Sequence, residues 1–106
     1  MHLLIVSIDR LTEASFPGWV ECSLVDAADV VHRFHEKIPV VSSEPISEAT
    51  SLPQEGHIRC KLIAVNDEGA GSLAIVCTEA IDRVSSLEGT HEFTVRLSQL
   101  IESNSL

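Results

Sequence analysis

Residues 18–25 read Gly-Trp-Val-Glu-Cys-Ser-Leu-Val, and every second side chain from Val20 onward is apolar. One face of this segment carries Val20, Cys22 and Leu24, while Trp19 falls on the opposite face. A period of two residues is typical of a β-strand with one buried face. The segment therefore predicts a strand whose Trp19 points away from the core.

Short runs of the same kind recur along the chain. The further predicted strands are 2–8, 30–41, 57–66, 72–78 and 91–98. Turn residues separate them at intervals of about 8–12 residues, which is typical of all-β sandwiches and barrels. No segment has a sustained helical period. The sequence predicts one mostly-β domain over residues 1–106, a single small barrel or sandwich of about six antiparallel strands.

The connections are predicted from their turn and loop residues. Residues 42–56 are rich in Ser, Glu and Pro and predict the one long loop. Pro39 predicts a sheet edge or a bulge, because proline has no backbone N–H to donate. Residues 67–71 predict a hairpin turn, and the tail from Ser98 predicts a frayed or short helical end.

Matching the apolar faces predicts a register for two hairpins, since a slip of one residue would turn every apolar side chain outward. The first register sets Leu24 opposite Val30, Cys22 opposite His32, Val20 opposite Phe34, Glu21 opposite Arg33 and Trp19 opposite His35. The second sets Ala64 opposite Leu73, Leu62 opposite Ile75 and Cys60 opposite Cys77.

Composition narrows the classes of function. The net charge of −9 argues against nucleic acid and against an anionic membrane as partners, since both require clustered cations. No apolar run is long enough for a membrane span or a signal peptide. Three cysteines without close spacing, each in an apolar run, predict reduced and buried thiols. We expect a cytoplasmic protein.

Catalytic and metal signatures are lacking in the sequence. There is no G-x-S-x-G, H-E-x-x-H or C-x-x-C motif and no glycine-rich phosphate loop. The three cysteines and His32 are all predicted to point inward. These four residues have the composition of a structural zinc site, but they lack the closely spaced pairs of cysteines from which such sites are built. We therefore favour the interpretation that they pack in the core. The sequence leans against an enzyme and predicts no catalytic residue, no metal and no cofactor.

Two outward basic stripes are the candidate binding residues. One predicted strand carries Arg33, His35 and Lys37, and another carries His57, Arg59 and Lys61. If the two strands are neighbours, the stripes form a positive patch for an anion or an acidic segment of a partner. Trp19 completes the candidate set, as an interface anchor or as a side chain covered by a loop. The alternative is that cross-strand carboxylates such as Glu21, Glu79 and Glu92 neutralise the stripes.

Three runs resemble a group of small uncharacterised bacterial proteins. These runs are PGWVEC (17–22), EKIPV (36–40) and GHIRC (56–60). The resemblance implies a bacterial, stand-alone, single-domain protein, and it implies no activity.

Taken together, these patterns predict a non-enzymatic binding or protein-interaction module of a bacterial cytosol. The alternative is a barrel that binds a small anion or ligand through Arg33, Arg59 and Lys61. A protein partner is expected, and a homodimer through an edge strand is a further possibility.

Overall fold

The computed structural model describes residues 1–67 and 71–103. Within these ranges the chain forms seven strands and three short helical turns. The strands are β1 His2–Glu13, β2 Trp19–Val25, β3 Val31–Lys37, β4 Gln54–Asn66, β5 Leu73–Cys77, β6 Glu92–Arg96 and β7 Leu100–Glu102. The helical turns are α1 Ile38–Val41, α2 Glu79–Asp82 and a 3-10 turn at Leu97–Gln99.

The strands form a curled antiparallel sheet in the order β3-β2-β1-β4-β5-β6, with β7 added beside β1. β4 is the longest strand and belongs to both halves of the sheet. Its residues 54–60 pair with β1, and its residues 61–66 pair with β5. The result is a half-barrel, which confirms the prediction of a small, mostly-β, barrel-like fold.

The core fills the concave side of this half-barrel. It follows the predicted alternation in β2, β3 and β6, but β5 buries Ala74 and Val76, whereas the predicted register placed Leu73 and Ile75 on the inward face. Its fully buried members include Leu4, Ile8, Val20, Cys22, Leu24, Phe34, Ile58, Val76, Val84 and Val95. Burying one large aliphatic or aromatic side chain stabilises a fold by roughly 1.5–3 kcal/mol. Burial of these apolar side chains is therefore the main contribution to the stability of the curled sheet.

Aromatic side chains close the gap between β3 and β6, the two ends of the strand order. The ring centroid of Phe93 lies 5.7 Å from that of Phe34 and 4.9 Å from that of His32. A backbone hydrogen bond from Leu87 to the Arg33 carbonyl, 2.8 Å long, occupies part of the free edge of β3. The N–H of Ala27, in the turn between β2 and β3, donates to the Thr94 carbonyl of β6 at 2.9 Å. The half-barrel is thus closed by side chains and by single hydrogen bonds from two connections rather than by a strand ladder.

The predicted register of the β2–β3 hairpin is wrong by two residues, although its faces are right. Cys22 lies opposite Phe34 and Leu24 opposite His32, where the sequence predicted His32 and Val30. Likewise, Val20 lies opposite Glu36, Glu21 opposite His35, and Trp19 opposite Lys37. The cause is the turn, in which the Asp26 carboxylate accepts the N–H groups of Ala28 and Val30 at 2.8 and 3.0 Å. These bonds fix a longer turn than face matching alone requires.

The β4–β5 register is also wrong, because Leu73 lies opposite Asn66 rather than Ala64 at the turn end, and because β4 then has an extra residue. The pairing shifts between Leu62 and Ala64, so Ile63 forms a β-bulge. Lys61 consequently lies opposite Cys77, and Cys60 does not. Cys77 is half-buried on the outer side of the sheet, and all three thiols are free. The prediction of an inward side chain is correct for Cys22 and Cys60 and wrong for Cys77.

Several predicted boundaries change. The first strand, predicted over 2–8, extends to Glu13. The strand predicted over 30–41 ends at Lys37, and Pro39 lies in α1, because proline is tolerated in the first turn of a helix. The loop predicted at 42–56 is shorter, since β4 already begins at Gln54. Leu97, predicted to point inward, is exposed in the 3-10 turn, and the tail forms β7 beside β1. The turn predicted at 67–71 lies partly outside the described residues.

Candidate functional site

Trp19, His35 and Lys37 meet on the outer face of β2 and β3. The ring centroids of Trp19 and His35 are 5.0 Å apart, with the planes inclined by 35°. The ammonium of Lys37 lies 5.8 Å from the centroid of the Trp19 ring, within the range of a cation–π contact. Trp19 is therefore half-buried beneath two polar neighbours. Together with Arg33, these residues form what we call the β3 face.

The orientation of His35 is fixed by Thr12 of β1. The Thr12 hydroxyl lies 3.1 Å from the Trp19 carbonyl, to which it donates, and 2.8 Å from Nε2 of His35. A hydroxyl has one proton, so Nε2 of His35 is the donor in the second bond. The remaining ring nitrogen, Nδ1, is left for solvent or a ligand.

The two cations of the β3 face have no ion-pair partner among the described residues. Arg33 and Lys37 are exposed, and neither forms an ion pair within residues 1–67 and 71–103. Glu21, predicted to neutralise Arg33, pairs instead with Arg10 of β1. Register explains this choice, because Arg10 and Glu21 are directly opposite each other across β1 and β2.

The second basic stripe lies elsewhere and is largely neutralised. β2 and β1 separate β3 from β4 in the sheet, so the two stripes are not neighbours. Nε2 of His57 lies 2.9 Å from Oε2 of Glu55. Arg59 donates to both carboxylate oxygens of Asp82, at 2.9 and 2.5 Å, which raises the pKa of its guanidinium. Lys61 is exposed farther along β4.

A cleft of about 360 Å³ opens beside this second stripe. Its walls include Pro39 and Ser42, and Arg59 and Asp82 lie on its other side. Because both carboxylate oxygens of Asp82 accept from Arg59, at Nε and Nη2, the cleft offers a compensated ion pair rather than a free cation. The structure thus brings four candidate residues together on the β3 face and leaves His57, Arg59 and Lys61 apart.

Phe16 is an exposed aromatic side chain that was not among the predicted site residues. Its side chain is 97% exposed at the apex of the β1–β2 hairpin, shortly before Trp19 in the chain. Gly18 follows it with φ +83°, a conformation that favours glycine. A large aromatic side chain at the tip of a hairpin cannot reach the core. The position of Phe16 in a turn is therefore the feature of the sequence from which its exposure could have been predicted.

His32 occupies the core margin, as predicted. Its Nε2 lies 2.8 Å from Oδ2 of Asp26, and both side chains are mostly buried. Within the described parts of the chain, no three His, Cys, Asp or Glu side chains are grouped as a metal site would require. In those same parts, no helix has the length and apolar character needed to cross a membrane.

Comparisons of the chain with protein-family models, curated proteins and solved structures found no match in any of the three.

Proposed function

We propose that this protein is a non-enzymatic interaction module of a bacterial cytosol, and that its β3 face docks an acidic, partly apolar segment of a partner protein. The observation that carries the proposal is that two exposed cations, Arg33 and Lys37, flank His35 along β3, where the ring of His35 lies against that of Trp19. A chain with 16 acidic and 7 basic residues repels most acidic partners. Its local cations therefore direct an acidic segment to one place.

The aromatic side chains supply the apolar half of the recognition. Tryptophan is favoured at interfaces because it combines a large apolar area with a polar N–H group. Trp19 is already held in place by His35 and Lys37, so less conformational freedom is lost on binding. Phe16, fully exposed at the hairpin apex, offers a further apolar contact.

The anion-binding alternative has less support. It requires Arg33, Arg59 and Lys61 to act together, yet two strands lie between β3 and β4, and Asp82 occupies the guanidinium of Arg59. Dimerisation through an edge strand stays a prediction. Part of the β3 edge is taken up by Leu87, which donates to the Arg33 carbonyl.

Trp19 makes the proposal directly testable, because it is the only tryptophan in the chain. We expect its fluorescence to change when a synthetic peptide of glutamates with a central phenylalanine is added. The apparent affinity should fall by about fivefold or more in Arg33→Glu, because reversing a contact charge turns attraction into repulsion. It should also weaken as salt is raised.

Lys61→Glu is the matched control, since it makes the same change of charge at an exposed strand position away from the β3 face. If both variants weaken binding equally, the response reflects net charge and the proposal fails. A parallel titration with inorganic phosphate tests the alternative. A saturable response to phosphate that is lost in Lys61→Glu would favour the small-anion site.

A further inference from the structure

The geometry points to a second site: we infer that Cys77 is a reactive thiol, activated by His91, that exchanges with small uncharged disulfides. Cys77 ends β5, and its Sγ lies 4.0 Å from Nδ1 of His91. Nε2 of His91 lies 3.6 Å from Oε2 of Glu79 in α2. A thiol, an imidazole and a carboxylate in sequence form the arrangement that activates a nucleophilic cysteine.

The backbone holds His91 beside Cys77. Thr78, the residue after Cys77, is fully buried and donates its N–H to the His91 carbonyl at 2.9 Å. Its hydroxyl lies 2.7 Å from the Val84 carbonyl and 3.3 Å from the His91 carbonyl. The imidazole is therefore placed by an ordered backbone, while its side chain remains 43% exposed. Contacts between catalytic groups are commonly longer before a substrate is bound.

Glu79 lies on the Nε2 side of the His91 ring, at 3.6 Å, and Cys77 lies on the Nδ1 side. When Nε2–H points towards Glu79, Nδ1 presents its lone pair to the thiol. The charged neighbours opposite Cys77 are Lys61 on β4 and Glu92 on β6. His91 is the only one of these neighbours whose ring nitrogen lies within reach of the sulfur, at 4.0 Å, so it is the group that distinguishes this thiol from an ordinary surface cysteine.

The other two thiols differ in both access and chemistry. Cys22 is 1% exposed and Cys60 is 2% exposed. Burial, with smaller contributions from Asp9 and Glu36, raises the pKa of Cys22 to about 12. Burial and the nearby Cys77 raise the pKa of Cys60 to about 11. Since the thiolate is the nucleophile, both residues are internal controls for Cys77.

The exchange step balances without an additional oxidant. The Cys77 thiol gives its proton to Nδ1 of His91, and the thiolate attacks one sulfur of the disulfide. The Sγ–S bond forms as the S–S bond breaks, and the departing thiolate takes up the proton from His91 or from water. The products are a mixed disulfide on Cys77 and one free small thiol.

The test uses dithiodipyridine, an uncharged aromatic disulfide whose released thiopyridone is coloured. Mass spectrometry of the digested protein identifies the modified residue. We expect Cys77 to react at least about tenfold faster than Cys22 and Cys60 in the folded protein, because it alone combines access with an activating base. His91→Gln should slow the reaction of Cys77 by about fivefold or more.

His57→Gln is the matched control, because His57 is also a partly exposed histidine next to a glutamate. It should leave the rate at Cys77 unchanged, and Glu79→Gln should give an intermediate rate. The inference is overturned if Cys77 reacts as slowly as the buried thiols, or if its fast reaction is unaffected by His91→Gln. Either result leaves the β3 face proposal untouched, because the two sites share no residue.

Discussion

Gly56 shows how the absence of a side chain allows β4 to pack closely against the rest of the core. It lies opposite Val6 in the β1–β4 pair and is buried. A Cβ atom there would lie 2.6 Å from Cγ1 of Ile8 and 2.9 Å from the carbonyl oxygen of Val41. Any larger residue must therefore push β4 away from β1 or from α1.

Gly56→Ala should lower the free energy of unfolding by about 1–3 kcal/mol, the usual cost of overfilling a packed core. Urea denaturation followed by fluorescence measures this cost. Gly71→Ala is the control, because a Cβ at Gly71 meets nothing within 4 Å. Equal midpoints for the two variants would show that the close approach at Gly56 is not a real constraint.

The face on which Cys77 lies and its closeness to His91 could not be predicted from the sequence. The alternation of 57–66 and 72–78 predicted Cys60 and Cys77 on one face. A bulge at Ile63 changes the pairing, and a bulge has no sequence signature here beyond an ordinary apolar residue. The proximity of Cys77 and His91 follows from the three-dimensional path of the chain between β5 and β6, which periodicity does not contain.

Among the elements, the turn between β2 and β3 decides which residues meet on the β3 face. Asp26 accepts hydrogen bonds from Ala28, Val30 and His32. Burial would raise the pKa of the Asp26 carboxyl, and these hydrogen bonds outweigh it, so the pKa is lowered. A carboxyl with a lowered pKa in the folded state stabilises the fold above its unfolded pKa, and the stabilisation is lost as pH falls.

Asp26→Ala should destabilise the protein by about 2 kcal/mol at pH 7, because it removes hydrogen bonds to a charged acceptor. The difference from the wild type should shrink as pH falls below about 4, because the carboxyl is protonated first in the unfolded chain and, at lower pH, also in the folded protein. Thermal or urea unfolding at several pH values measures both effects. A difference that stays constant from neutral pH to pH 3 would contradict the role assigned to the carboxylate.

The turn between β2 and β3 also explains why the faces of these two strands could be predicted from the sequence and their register could not. The faces of β2 and β3 followed from their period of two, so Trp19, Arg33, His35 and Lys37 were correctly grouped as outward. Their partners across the ladder were not, since the register depends on hydrogen bonds of one aspartate in the turn. The end of β3 was also missed, because Pro39 is compatible with both a sheet edge and the first turn of a helix.

For the whole molecule, topology divides the basic residues into two groups with different environments. The strand order places β2 and β1 between the stripes, and pairing with Glu55 and Asp82 neutralises His57 and Arg59. Arg96 is likewise engaged, since it binds Asp29 and the carbonyls of the β2–β3 turn and so helps to close the half-barrel. The β3 face is left with two free cations around an aromatic pair on an otherwise acidic chain.

Mapping of backbone amide chemical shifts by NMR, during titration with the glutamate–phenylalanine peptide, tests this central claim most directly. The account predicts that the largest shifts occur at Trp19 and along Arg33–Lys37, and that the amides of His57–Lys61 change little. The same titration of Arg33→Glu should lose the shifts along β3. Shifts centred on Arg59 and Asp82, or shifts spread evenly over the sheet, would contradict the account.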